Sequence, residues 1–347
     1  MNILDLHKKT WDELSLRRDR LPHALLLSGQ RGIGKFAVAK DFAASLLCEN
    51  PDAQQRACGH CLACNWFAQG NHPDFRLLQP EAMTEISSGE EEGKKKASKE
   101  ILIDQVRALD EFLGVGSHRG GLSIVLVNPA EAMNRNAANS ILKILEEPPA
   151  GILFLLISDE QSRLLPTIRS RCQSILIGLP ETPAAQAYLR ASGIDDAERW
   201  LALSGGAPRL ALELAEKNGS GQGSWLPTLL THLKQGAQHD PLRAAGDIDK
   251  LLREQKGALS LRQIIDTLQK WLIDLTQAAN SLPVRYFLAN NGEISALAAK
   301  IPSTRLVRAY RKLATQRREA EQPVNGRLFL EGVFLDYRDL FSPRPGE

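Results

Sequence analysis

Five short apolar runs separated by helical patterns constrain what the first half of this chain can become. Leu25-Leu26-Leu27, Phe75 to Leu78, Leu122 to Val127, Ile152 to Ile157 and Ile175 to Ile177 read as strands. Near-continuous apolar runs of this kind belong to a parallel sheet covered by helices on both faces. Between the third and fourth, Asn134 to Glu147 places Ala138, Ile141, Leu142 and Leu145 at i, i+3, i+4 and i+7, which makes one apolar helix face. Pro148-Pro149 then stops the helix, because proline offers no backbone donor. This order predicts a doubly wound α/β domain.

The first run leads into Gly29-Gln-Arg-Gly32-Ile-Gly34-Lys35-Phe36, a phosphate-binding loop in outline. Backbone N–H groups of such a loop cradle phosphate oxygens, and the lysine neutralises charge on the outer phosphates. Gly29, Gly32, Gly34 and Lys35 are all in place, but Phe36 stands where a Ser or Thr hydroxyl would ligate magnesium. The run ending at Val127 is followed by Asn128-Pro129-Ala130-Glu131, with a neutral amide at the expected carboxylate. Hydrolysis of a nucleotide depends on that ion. Two missing metal contacts point away from ATP hydrolysis and toward a structural role beside subunits that hydrolyse ATP. The residues leave three readings open: a relic loop, a nucleotide held without much metal, or an ATPase in which Glu131 takes the acidic role.

Four of the five cysteines fall in one segment, Cys48-x9-Cys58-x2-Cys61-x2-Cys64, and only Cys172 lies elsewhere. Four thiolates within reach of one another suit a tetrahedral structural zinc with no open position for water, and Gly59 in the knuckle permits a tight turn. Iron–sulfur ligation fits less well, because the last three cysteines are evenly spaced. His60 and His72 read as surface histidines. The N-terminus lacks the basic start and apolar stretch of a signal peptide, and no apolar run reaches about 18 residues, so a cytoplasmic protein without membrane contact is expected. With 347 residues the chain has room for two or three domains, and a net charge of +2 gives no global field for nucleic acid. A zinc-knuckle nucleic-acid module on a dead ATPase domain is correspondingly disfavoured, the more so as aromatics for base stacking are few.

The stretch Ser87 to Glu100 is charged and has no large apolar residue, which predicts a mobile loop; its acidic and basic blocks nearly cancel, against a role in DNA contact. Beyond Pro180 helical patterns take over: Thr182 to Ala191, Ala197 to Leu203 and Pro208 to Lys217, then a linker at Asn218 to Ser224. Further on, Leu261, Ile264, Ile265, Leu268, Leu272 and Leu275 trace one apolar stripe, and Leu306, Ala309, Tyr310 and Leu313 another.

Taken together, several segments resemble the clamp-loader branch of the AAA+ ATPases, and within it the delta-prime family of bacterial DNA polymerase III. They are His23-Ala-Leu-Leu-Leu with the glycine loop, Cys58-Gly-His-Cys-Leu-Ala-Cys64, His72-Pro-Asp74, Ala138-Asn-Ser-Ile-Leu-Lys-Ile-Leu-Glu-Glu-Pro-Pro149, Leu165-Pro-Thr-Ile-Arg-Ser-Arg-Cys172 and Asn325-Gly-Arg-Leu-Phe-Leu-Glu331. The resemblance implies an AAA+ P-loop-like α/β domain over 1–178 with a zinc knuckle at 48–64, a helical lid over 179–218 and an all-α collar over 224–347. It implies a subunit that does not itself hydrolyse ATP, works with gamma/tau motor subunits and a delta subunit in a five-membered ring, and serves a sliding clamp and primed DNA. Arg171, which by itself reads as a surface charge or an internal salt-bridge partner, matches in this resemblance an arginine finger acting on a neighbour's nucleotide. Ser158 and Arg209 match nucleotide-sensing positions, which without magnesium ligands read as relics.

Overall fold

The computed structural model describes residues 3–88, 97–118, 121–218, 224–255 and 259–342. Two compact units divide the chain, Met1–Tyr188 and Leu189–Glu347. The stretch read from the sequence as a lid lies mostly in the second unit, together with the stretch read as a collar.

In the first unit a short 3-10 turn, Ile3–His7, precedes α1 (Lys8–Leu16). Then follow β1 (Ala24–Ser28), α2 (Lys35–Leu47), α3 (Leu62–Ala68), β2 (Phe75–Leu78) and α4 (Glu81–Ser88). The rest of the unit comprises α5 (Ile103–Arg107), α6 (Leu109–Val115), β3 (Ser123–Val127), α7 (Arg135–Glu146), β4 (Ile152–Ser158), α8 (Pro166–Arg171), β5 (Gln173–Leu176) and α9 (Thr182–Ala191), which runs across the division. The sheet is parallel throughout, in the order β2-β3-β4-β1-β5. Every residue of β1, β3 and β4 is buried, whereas β2 and β5 at the edges are partly exposed. Central strands buried on both faces account for the continuous apolar runs. The fifth strand covers Gln173–Leu176, two residues earlier than its apolar run, because pairing with β1 sets Leu27 beside Ile175.

Helix α7 starts where expected. The Asn134 side chain accepts a hydrogen bond from the N–H of Ala137 at 2.8 Å and caps the first turn. Ala137, Ala138, Ile141 and Leu145 enter the core beside Val125, Val127, Phe154 and Leu156. Full burial of a side chain the size of Ile141 or Leu145 contributes about 1.5–3 kcal/mol relative to exposure, and an alanine methyl less. The charged stretch expected to form a loop lies outside the described residues over 89–96. Its flanks are built into the fold: α4 runs to Ser88, and the N–H of Ser98 donates to Glu81 at 3.3 Å.

The second unit is helical. It holds α10 (Ala197–Ser204), α11 (Pro208–Asn218), α12 (Trp225–Leu233), α13 (Pro241–Glu254), α14 (Leu261–Ala279), α15 (Asn291–Ala298), α16 (Ser303–Glu319) and α17 (Gly326–Asp339). The expected linker between α11 and α12 lies outside the described residues over 219–223. A capping box of Ser260 and Gln263 opens α14, whose stripe from Ile264 to Leu275 is buried against α15 and α16. The other stripe is only half as deep: Leu306 and Leu313 are buried, but Tyr310 is exposed. Trp271 Nε1 donates to the Tyr337 hydroxyl at 3.0 Å, and that hydroxyl donates to the Leu233 carbonyl at 2.7 Å, tying α14, α17 and α12. No described helix is long and apolar enough to cross a membrane.

Candidate functional site

The glycine loop leaves β1 and enters α2 at the carboxyl end of the sheet, where open α/β sheets place their ligands. Two of its glycines are required by space. A Cβ on Gly29 would stand 2.4 Å from the Ile177 carbonyl oxygen, and one on Gly34, at φ +109°, would meet Ile3 Cγ1 at 2.6 Å. Gly32 also takes a positive φ, +79°.

Lys35 begins α2 and is only 3% exposed. Its ammonium donates to the carbonyls of Gly29 at 2.9 Å and Gln30 at 2.8 Å, and forms an ion pair with Asp159 Oδ1 at 2.5 Å. A lysine has three donors, so these contacts use all of them. The arrangement follows from strand order. Asp159 follows β4, the neighbour of β1, in a register that pairs Ser28 with Ser158. Asn128 follows β3, one strand further away.

Glu131 serves the same loop. Its Oε1 accepts the N–H groups of Asp159 at 2.8 Å and Glu160 at 3.2 Å, which holds the segment carrying Asp159. Ser158, matched to a sensing position, is fully buried and its hydroxyl has no partner among the described residues. Phe36 is half-buried.

The N-terminal turn is a part of the site that the sequence reading missed. His7 Nε2 lies 2.6 Å from the Ile33 carbonyl, inside the glycine loop, and as the Nε2–H tautomer donates to it. Burial lowers the His7 pKa, and the charge of Lys35 lowers it further. The hydrogen bond to Ile33 opposes both by raising it, and through that bond the imidazole clasps the loop.

The cysteine segment closes into a cluster. The sulfurs of Cys48, Cys58, Cys61 and Cys64 all lie within 4.8 Å of one another, with Cys48 to Cys61 and Cys58 to Cys64 at 3.9 Å. Tetrahedral thiolates bound at about 2.3 Å from one ion stand roughly 3.8 Å apart, so the residues fit a four-sulfur metal site. No disulfide joins them. The N–H groups of Cys58, Cys61 and Cys64 point at the sulfurs of Cys48, Cys58 and Cys61, at 3.3 to 3.4 Å, as in knuckles that favour thiolates. Burial pushes Cys61 up, but hydrogen bonds, foremost that of the Cys64 N–H, bring it down to about 6, whereas burial pushes Cys64 up to about 12. Gly59 adopts the positive φ, +79°, of a tight turn. His60 is exposed, as expected, and bonds the Cys58 carbonyl at 2.9 Å. His72 is not on the surface: it is 2% exposed, because its Nδ1 accepts the Asp74 N–H at 3.1 Å in the turn before β2. Buried Asp74 in turn accepts from the His118 N–H at 2.7 Å and the Ser117 hydroxyl at 3.2 Å.

Arg171 ends α8 with its side chain 32% exposed. One terminal nitrogen donates to the Thr167 carbonyl at 3.0 Å, and the other pairs with Glu146 Oε1 at 2.5 Å. The Leu-Glu-Glu-Pro-Pro and Ser-Arg-Cys segments therefore meet in space. The following Cys172 packs against the sheet core, and burial pushes its thiol up to about 11. Arg209 lies exposed in the first turn of α11, in the second unit.

A family model described as DNA polymerase III, delta subunit, matches residues 7–180. A DNA polymerase III subunit delta' from Pseudomonas aeruginosa is 35% identical over 366 residues, which cover 99% of this chain and 99% of that one. The Escherichia coli DNA polymerase III subunit delta' is 34% identical over 203 residues, 58% of this chain and 56% of its own. A tau/gamma subunit from Haemophilus influenzae is 33% identical over 172 residues, 49% of this chain and 22% of its own.

Proposed function

Because the chain belongs to the delta-prime family of DNA polymerase III subunits, we propose that it is the non-hydrolysing stator of a clamp loader. In this reading the first unit is an AAA+ domain that has lost its own turnover, and the helical unit includes a lid and a ring-forming collar. The partners are gamma/tau motor subunits and a delta subunit, and the work is loading a sliding clamp onto primed DNA.

The observation that carries the reading is the saturation of Lys35 by Asp159, Gly29 and Gln30. With Phe36 in place of a hydroxyl and Asn128 in place of a carboxylate, the loop lacks groups to hold magnesium. In this reading Glu131 serves the fold of the loop: its Oε1 accepts the N–H groups of Asp159 and Glu160, while its buried Oε2 has no partner among the described residues. Gly29, Gly32 and Gly34 keep the shape of a cradle whose cation is turned inward.

Arg171 would act in trans. Placed near the nucleotide of a neighbouring motor subunit, its guanidinium would stabilise charge developing on the transferred phosphoryl group, an effect of about 10³ to 10⁵ in the best-studied cases. The cysteine cluster would hold zinc; with four thiolates around it the ion keeps no open position and acts as a crosslink.

Phosphate release and calorimetric titration with ATP and magnesium test the reading on the isolated chain. No turnover and weak or absent binding are expected. Magnesium-dependent turnover that disappears in Lys35→Ala would establish a motor subunit instead.

A further inference from the structure

Resting on the reading of Arg171 as a finger, we propose that Glu146 is its positioning residue, holding the guanidinium in a presented orientation without using it up. The count of donors permits this. Of the five N–H donors of Arg171, one goes to the Thr167 carbonyl and one to Glu146 Oε1, so among the described residues three are left for a phosphoryl oxygen. A saturated cation is useless to a ligand, which is the situation of Lys35; Arg171 is restrained but unsaturated.

The support is rigid. Glu146 is the last residue of α7, a helix capped by Asn134 and pinned into the core by Ala137, Ile141 and Leu145. Its chain then meets Pro148-Pro149, which fixes where the helix stops. Arg171 is the last residue of α8, and α7 packs directly on α8. Two helix ends thus set the separation of carboxylate and guanidinium. A long arginine side chain has much rotamer freedom, which a free finger loses only when it reaches its target. A finger already held by Glu146 has lost part of it beforehand, and preorganisation of this kind raises the rate of the step that needs the geometry. The adjacent Glu147 is also acidic and exposed, but among the described residues the ion pair of Arg171 is with Glu146, so Glu147 serves as a control for charge alone.

The test uses the whole loader, reconstituted with its motor and delta subunits, and reads DNA-stimulated ATPase. Glu146→Ala should lower kcat roughly tenfold with unchanged KM for ATP and unchanged assembly, while Glu147→Ala has no effect. Glu146→Asp and Glu146→Gln should restore part of the rate. The decisive arm is the double variant: in an Arg171→Ala background, Glu146→Ala should add nothing. A full tenfold loss in that background, or no loss in the single variant while Arg171→Ala is impaired, overturns the role of Glu146 and leaves the finger standing. An Arg171→Ala loader that assembles and turns over normally overturns the finger itself.

Discussion

Lys35 and Asp159 form a 2.5 Å ion pair between the start of the helix after β1 and the end of the neighbouring strand β4. The lysine is almost fully buried, whereas Asp159 keeps 30% of its side-chain exposure. A phosphate approaching the glycine loop meets a cation whose charge is already neutralised and whose donors are already taken. Affinity for an anion therefore depends on displacing Asp159 as well as on the shape of the loop.

Removing that competitor should open the site. Asp159→Asn is expected to bind inorganic pyrophosphate or ADP about tenfold more tightly than the unaltered chain, equivalent to ~1.4 kcal/mol, and adding Lys35→Ala should abolish the gain. Calorimetric titration without magnesium reads this directly. Equal affinities in the two proteins would mean that Asp159 does not compete with the ligand.

The four-sulfur cluster supports more than its own knuckle. Trp11 Nε1 donates to the Gln54 carbonyl at 2.9 Å, Arg18 donates to the Gln55 carbonyl at 3.2 Å, and Arg56 pairs with Asp5 at 3.2 Å. The loop between Cys48 and Cys58 is thereby stitched to the N-terminal segment that clasps the glycine loop. Metal analysis should find close to one zinc per chain, and Cys61→Ser should reduce it. Stripping the metal with a chelator should speed amide exchange in residues 49–64 and 3–20 while β3 and β4 stay protected. A metal-free chain that folds with four titratable thiols here and unchanged exchange would refute the assignment.

What could be read from the sequence divides along physical lines. Strands β1, β3 and β4 were legible because burial on both faces demands continuous apolar runs, and α7 because its cap, its stripe and its stop are local signals. The cysteine cluster was legible because four thiols able to share one metal ion are marked by both residue type and spacing. Asp159 and His7 were not, since each is an isolated residue whose role depends on which strand lies next to β1 and on where the N-terminal turn packs. The burial of His72 was hidden for the same reason. Glu146 stands in a recognisable motif, yet only the packing of α7 on α8 puts it against Arg171.

In the helical unit, Asp274 is the strongest candidate for a single costly substitution. It is fully buried on α14, and its carboxylate accepts the N–H groups of Arg285 at 2.8 Å, Tyr286 at 3.0 Å and Phe287 at 2.7 Å. Asp274→Ala would strand the buried N–H of Phe287 and the part-buried N–H groups of Arg285 and Tyr286, and should cost roughly 2–4 kcal/mol, read from the urea midpoint. Asp274→Asn keeps one acceptor oxygen and should cost less. A loss below about 1 kcal/mol in the alanine variant would show that water replaces the carboxylate.

His239 should make the helical unit sensitive to mild acid. It is 2% exposed, its Nδ1 lies 3.1 Å from the His232 carbonyl, and its ring meets Phe334 and Tyr337 edge-on. Burial lowers its pKa from the ordinary 6.5 to about 4. Above pH 6.5 the imidazole is neutral whether the chain is folded or unfolded, and no penalty arises. As pH falls from 6.5 to 4 the unfolded chain takes up a proton that the folded chain refuses, so stability declines by up to about 3 kcal/mol. Below pH 4 both forms are protonated and the loss stops growing. His239→Phe should remove this slope while losing the hydrogen bond to His232, a pH-independent cost of about 1 kcal/mol. Titrating carboxylates are common to both proteins and cancel in the difference. Urea unfolding of the two proteins between pH 7.5 and 4 should therefore give curves that converge and then cross as pH falls. Curves that stay parallel would mean that folded and unfolded His239 bind their proton equally well.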